Sequence, residues 1–163
     1  MIRHLYTILI LLSLILTSRI EGQVVGWRGD GTGCYPQATP PVTWSVDEDV
    51  VWKTELSGTS PASAVLVADR IFVLSDPALL ICVRSTDGEV LWKRSHTAEA
   101  IGGAAGTQVV ADAGTHNPDG HAGSAASTVV SDGRTVIAMF ANGVVSAHDL
   151  DGNRKWIRFV EAP

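Results

Sequence analysis

The residues best equipped for chemistry crowd into "THNPDGH" (Thr115–His121), where His116, Asp119 and His121 fall close together. Imidazole and carboxylate are ligands that a divalent metal takes, but two histidines five apart on a loop match no strong ligand pattern. Asn-Pro-Asp-Gly is also an ordinary turn sequence, so no metal is expected there. The adhesion-type tripeptide Arg28-Gly29-Asp30 lies inside "WRGDGTG", a glycine-rich turn beside Trp27, and reads as structure. Acyl transfer by a serine nucleophile would call for a Gly-x-Ser-x-Gly elbow, which does not occur, and "GTGC" lacks the lysine and the preceding strand of a phosphate loop. What remains is aromatic. Asp87-Gly88 is followed by Trp92, and Asp151-Gly152 by Trp156 at the same spacing. Such a tryptophan can stack a sugar or a quinone, or it can pack one element on another. The second reading is taken, which leaves no catalytic, cofactor-binding or metal residue and makes Asp87, Gly88, Trp92, Asp151, Gly152 and Trp156 a structural repeat motif.

The elements that carry these residues are short strands. "VVWKTEL" (Val50–Leu56), "SAVLVA" (Ser63–Ala68), "RIFVLS" (Arg70–Ser75), "LLICVRS" (Leu79–Ser85) and "EVLWKRS" (Glu89–Ser95) form one group. "STVVSD" (Ser127–Asp132), "RTVIAMF" (Arg134–Phe140), "GVVSAHD" (Gly143–Asp149) and "NRKWIRF" (Asn153–Phe159) form a second. Each is rich in β-branched or aromatic residues and has a usual strand length. Beyond the N-terminus no stretch sustains a helical apolar period. Asp87-Gly88, Asp132-Gly133, Asn142-Gly143 and Asp151-Gly152 lie between apolar runs, where two-residue hairpin loops need positive φ. The pattern predicts an all-β chain of antiparallel hairpins.

The chain also repeats itself. Sliding it by 64 aligns Ser60–Arg94 with Ser124–Arg158 without a gap, with nine of 35 positions identical, among them Asp87/Asp151, Gly88/Gly152, Trp92/Trp156 and Arg94/Arg158. Four-stranded units that recur at a period near 40 are the signature of β-propeller blades. Trp52 and Trp92 are 40 apart, whereas Trp92 and Trp156 are 64 apart, so a long Gly/Ala-rich loop is expected at residues 97–122.

These residues resemble the PQQ-like (quinoprotein-dehydrogenase-like) β-propeller repeat family. Its repeat runs from a small residue and Pro through an apolar strand to "ALDaaTGKxxW", and Ser60-Pro61, "RIFVL" and "CVRSTDGEVLW" occupy those places in the first blade. The second matches with "SAHDLDGNRKW", and "WRGDGTG" resembles the opening of exported propellers of this type. Two departures stand out. The Asp of "ALD" is Arg84 in one blade and His148 in the other, and the Thr of "TGK" is Asp87 and Asp151. The vicinal Cys pair and calcium ligands of the quinone-using dehydrogenases have no counterpart, so the resemblance implies the fold and no cofactor. It also implies that the Asp-Gly turn joins the third strand to the outermost fourth, whose tryptophan packs between blades.

The expected architecture is therefore a partial β-propeller: two four-stranded antiparallel blades, at about residues 57–96 and 123–160, plus an orphan N-terminal outer strand, Val50–Leu56. Residues 23–49 form an extended lead-in, and residues 50–163 the propeller portion. Residues 1–22 read as a signal peptide, because Arg3 and His4 precede an apolar run, Leu5–Leu16, that extends about 18 Å as a helix and is too short to span a bilayer. An uncleaved N-terminal anchor is the alternative. Export to the periplasm or the extracellular space is expected. The remainder carries 10 basic against 16 acidic residues, net −6, with no basic run, which argues against nucleic acid and anionic membrane as partners. Cys34 and Cys82 either pair in an oxidising compartment or leave Cys82 as a buried thiol. Two blades fall short of the four that close a propeller. The expectation is a truncated reading frame or a self-associating chain that is not a stable monomer. By fold analogy the function is a non-catalytic protein-binding or scaffolding module of the cell envelope, and the alternative is the remnant of a quinoprotein-type oxidoreductase.

Overall fold

A computed structural model describes residues 24–45, 47–103, 106–107 and 125–160. The expected signal segment, residues 1–22, and the His116, Asp119 and His121 stretch lie outside them. Eight strands form two antiparallel meanders. The first sheet runs β1 (Val65–Val67), β2 (Arg70–Ser75), β3 (Leu79–Arg84) and β4 (Val90–Ser95) in sequence order. The second runs β5 (Val130–Ser131), β6 (Thr135–Met139), β7 (Val144–Asp149) and β8 (Arg154–Phe159). A single helical turn, α1 (Ala98–Ile101), opens the stretch expected to be pure loop.

Period-2 alternation gives each strand two working faces. In the first blade Phe72, Leu74, Leu80 and Cys82 point to one side and are fully buried in a core shared with Val129, Val136, Ala138, Phe140 and Val144 of the second blade. Val73, Ile81 and Val83 point to the opposite side, where Trp52 and Leu56 cover them. Because β3 is covered on both faces it reads as a continuous apolar run, as sandwiched strands do. Cys82 is a free, buried thiol, pushed up to about 11 chiefly by that burial, and Cys34 is exposed and likewise unpaired.

The strand pairings correct the repeat. The rung Val65–Phe72–Cys82–Trp92 crosses the first sheet, and Val130–Ile137–Ala147–Trp156 crosses the second. The blades are thus related by 65 residues over their first three strands and by 64 over the fourth. The cause is the turn before the tryptophan. Arg84 N bonds Glu89 O across four loop residues, whereas Asp149 N bonds Asn153 O across three. A one-residue slip moves every side chain to the other face, so the gap-free alignment assigns the faces of β1 to β3 wrongly. Corrected, the place of Arg84 belongs to Asp149, and His148 takes the place of Val83.

Two further expectations change. Val50–Leu56 is not a strand, because among the described residues it joins no ladder. Alternation reports faces, not hydrogen-bond partners. The backbone that does extend a sheet is Val25, which exchanges both amide bonds with Ser131 beside β5, at 2.7 and 2.8 Å. Of the Gly-containing turns, only Gly133-Arg134 is a two-residue loop, between Asp132 and Thr135.

Candidate functional site

The motif residues converge on two seams. In the first, the Trp52 indole donates to Ser85 O at 2.9 Å, and Thr54 Oγ1, two residues on, donates to Gly88 O at 2.6 Å. In the second, the Trp92 indole donates to Leu150 O at 3.0 Å, and Arg94 Nε, again two residues on, donates to Gly152 O at 2.6 Å. Ser85 and Leu150 are structural equivalents, as are Gly88 and Gly152, so the same grip occurs twice. Each tryptophan ring abuts the glycine of the turn it grips. A Cβ on Gly88 would stand 2.5 Å from the Trp52 ring, and one on Gly152 would stand 2.7 Å from the Trp92 ring. Both glycines also hold φ near +80°.

The aspartates of the motif work locally or across the seam. Asp87 accepts from Glu89 N at 3.0 Å and pairs with Arg84 at 2.8 Å, which together lower its carboxyl below the usual range. Asp151 pairs with Arg70 of the first blade at 2.8 Å, and Arg70 also reaches Leu150 O. Asp149 caps its own turn, accepting from Asp151 N and Asn153 N. Trp156 stands apart. It is 38% exposed, and no Asp-Gly turn among the described residues meets it.

Sequence reasoning missed the group that fills the second seam. His96, at the end of β4, and His148, on β7, are both 1% exposed with ring centroids 5.2 Å apart, edge to face. His96 stacks on Phe140 at 4.7 Å, its Nε2 lies 2.8 Å from Ser146 Oγ, and its carbonyl accepts from Asn142 Nδ2. The Nδ1 atoms of both rings are buried without a hydrogen-bond partner. Burial, reinforced for His96 by His148 and for His148 by Arg94, holds both imidazoles down to about 4. They are neutral at pH 7. A Ser-His contact of this length is a nucleophile–base geometry, but Ser146 has no exposure, so no substrate reaches it. The one available signal was that these are the only histidines of the strand-bearing regions.

Elsewhere the Arg28-Gly29-Asp30 turn is internally engaged. The Arg28 guanidinium lies 4.3 Å from the centroid of the Trp27 ring, and Asp30 Oδ1 accepts from Thr32 N and Oγ1 at 2.9 and 2.6 Å. No group of three or more His, Cys, Asp or Glu is poised for a metal among the described residues.

A family model described as outer membrane protein assembly factor BamB matches residues 42–156. Among solved structures, BamB from Moraxella catarrhalis is similar at 22% identity and a TM-score of 0.49, over 69% of this chain and 28% of that one. Quinohemoprotein alcohol dehydrogenase ADHIIG from Pseudomonas putida is similar at 17% identity and a TM-score of 0.49, over 69% of this chain and 15% of that one. The chain therefore spans less than a third of either protein's length. No curated protein matches.

Proposed function

The chain belongs to the PQQ-like repeat family of the outer membrane protein assembly factor BamB, whose model covers residues 42–156, and from that premise we propose that it is a non-catalytic, protein-binding or scaffolding module of an exported propeller in the cell envelope. The observation that carries this reading is the use of the aromatics. Trp52 and Trp92 are each committed through indole and neighbour to the Asp-Gly turn of the next blade rather than left open to stack a quinone or a sugar. On this reading Asp87, Gly88, Asp151 and Gly152 are docking turns, and Trp156 docks a further turn of the same kind. Scaffolding also suits a surface on which Trp27, Tyr35, Val42 and Trp44 stand exposed along the lead-in segment and Val51 just beyond it. The partner is a protein of the envelope, in line with the assembly role in the family's name.

Two experiments test this. Deleting the gene in its host is expected to lower the level of outer-membrane proteins, and an unchanged envelope overturns the reading. Titrating the purified chain with pyrroloquinoline quinone and calcium is expected to show no saturable binding and no dye reduction. Either activity would turn the assignment to a quinoprotein-type oxidoreductase. Self-association belongs to the same proposal, since apolar residues such as Met139 and Trp156 are exposed on the second blade. A compact, cooperatively melting monomer in sedimentation would contradict it.

A further inference from the structure

The two seams share one grip but not one filling, and the second filling is ionisable. We propose that the seam between the blades is an acid-operated joint, opened when His96 or His148 takes a proton. Four observations carry this. Both rings are sealed from water at the junction itself, one contributed by each blade. Each has an Nδ1 with no hydrogen-bond partner in the closed seam, and at His96 the neighbouring backbone of Arg94 and Ala78, which favours the charged ring, offsets only part of the cost of burial. The charged groups that bear on the pair are mostly cationic: Arg94 on β4 and Arg154 on β8. The anion that bears on His148 among the described residues, Asp149 on β7, already accepts from Asp151 N, Asn153 N and Asn153 Nδ2. A buried, unpaired positive charge costs far more than the same charge in water. His148 sits in the second sheet's ladder opposite Val136 and Arg154 but turns its ring into the seam toward His96, so the route to solvating the proton is parting of the blades.

The first seam supplies the control. The structural counterparts of Ser146 and His148 there are Ile81 and Val83, packed under Trp52 and Leu56. Docking by the Trp grip therefore does not require a polar filling, and the histidine pair is an addition.

The experiment is a distance measurement on the full chain with Cys34→Ser, spin-labelled at Leu66→Cys and Met139→Cys, which are exposed positions on opposite blades; Cys82 is buried and stays unlabelled. One narrow distance is expected at pH 7.5, and a longer, broader population should grow in between pH 6.5 and pH 4. The far-ultraviolet strand signal should persist through that change. H148F and H96Q are each expected to lower the midpoint by at least one pH unit. A distance that stays constant down to pH 4.5, a midpoint unmoved in both variants, or loss of strand signal before the distance changes would overturn the proposal. Should the variants fail to fold, imidazole NMR on the parent chain decides. Rings that protonate while the distance holds refute the joint, and rings whose protonation tracks the lengthening support it.

Discussion

The first blade is covered on both faces, whereas the second is covered on one among the described residues. Val73, Ile81 and Val83 of the first lie under Trp52 and Leu56 on one side, while Phe72, Leu74 and Leu80 meet the second blade on the other. In the second blade the face toward the first holds Val136, Ala138, Ser146 and His148, and the opposite face leaves Met139 47% and Trp156 38% exposed. Laid on one another, the two seams teach that attachment and filling are separable. The attachment is invariant: an indole to a turn carbonyl, and the side chain two residues on to the glycine carbonyl. The filling is free to be Ile and Val, or Ser and His.

The strongest way to break this comparison is to remove each tryptophan. Trp92 lies against the main core and against Phe72 at 5.8 Å, so Trp92→Ala is expected to lose about 3–5 kcal/mol in urea unfolding. Trp52 packs on the smaller cluster from a segment without strand pairing, and Trp52→Ala should lose roughly half as much. Equal losses would show that the Val50–Leu56 segment docks as firmly as a whole blade.

Acid separates the seams next. Both histidines have folded-state values below the ordinary one, so the unfolded chain binds protons first. Their contribution is intact above pH 6.5 and is lost as pH falls toward 4, by up to about 3 kcal/mol for the first proton. Placing Val83→His in the first seam should cost stability at pH 7 and add a second acid-sensitive step to the urea midpoint. If that variant's pH profile parallels the parent's, burial in a seam is not what confers the sensitivity.

Much of this was legible in the sequence. Eight of the nine expected strands, the antiparallel order and the places of the turns followed from alternation and from residues that tolerate positive φ, whereas Val50–Leu56 and the lengths of most turns did not. The repeat was visible but misregistered by one residue, because Asp-Gly and Trp anchored the alignment where the turn lengths differ. That slip hid His148 as a departure from a motif when it is the counterpart of Val83. His96 was invisible for another reason: it lies 52 residues from His148, and only the packing of two sheets brings the rings to 5.2 Å.

Glycine substitution probes the grip at smaller cost. Gly152→Ala would place a methyl against the Trp92 ring on a backbone at φ 80°, for an expected loss of about 2–3 kcal/mol. Gly88→Ala should behave alike against Trp52, at φ 77°. Near-equal losses at the two glycines, alongside unequal losses at the two tryptophans, would confirm that the local grip is the same and that only its surroundings differ.

The smallest effect lies at a turn where the blades exchange residue types. The first loop position after β1 is Ala68 at φ 54°, and its counterpart after β5 is Gly133 at φ 84°. A Cβ in the left-handed region costs about 1–2 kcal/mol, whereas glycine's extra freedom in the unfolded chain returns roughly 0.5–1 kcal/mol of that. Ala68→Gly should therefore stabilise the chain by about 0.5 kcal/mol, read as a higher urea midpoint at unchanged slope. The converse change, Gly133→Ala, should destabilise by a similar amount, because no atom lies within 4 Å of the added methyl and only the backbone term remains. Opposite signs at these two positions would establish that the 65-residue correspondence governs the inner hairpins, since the 64-residue one sets Ala68 against Asp132 instead.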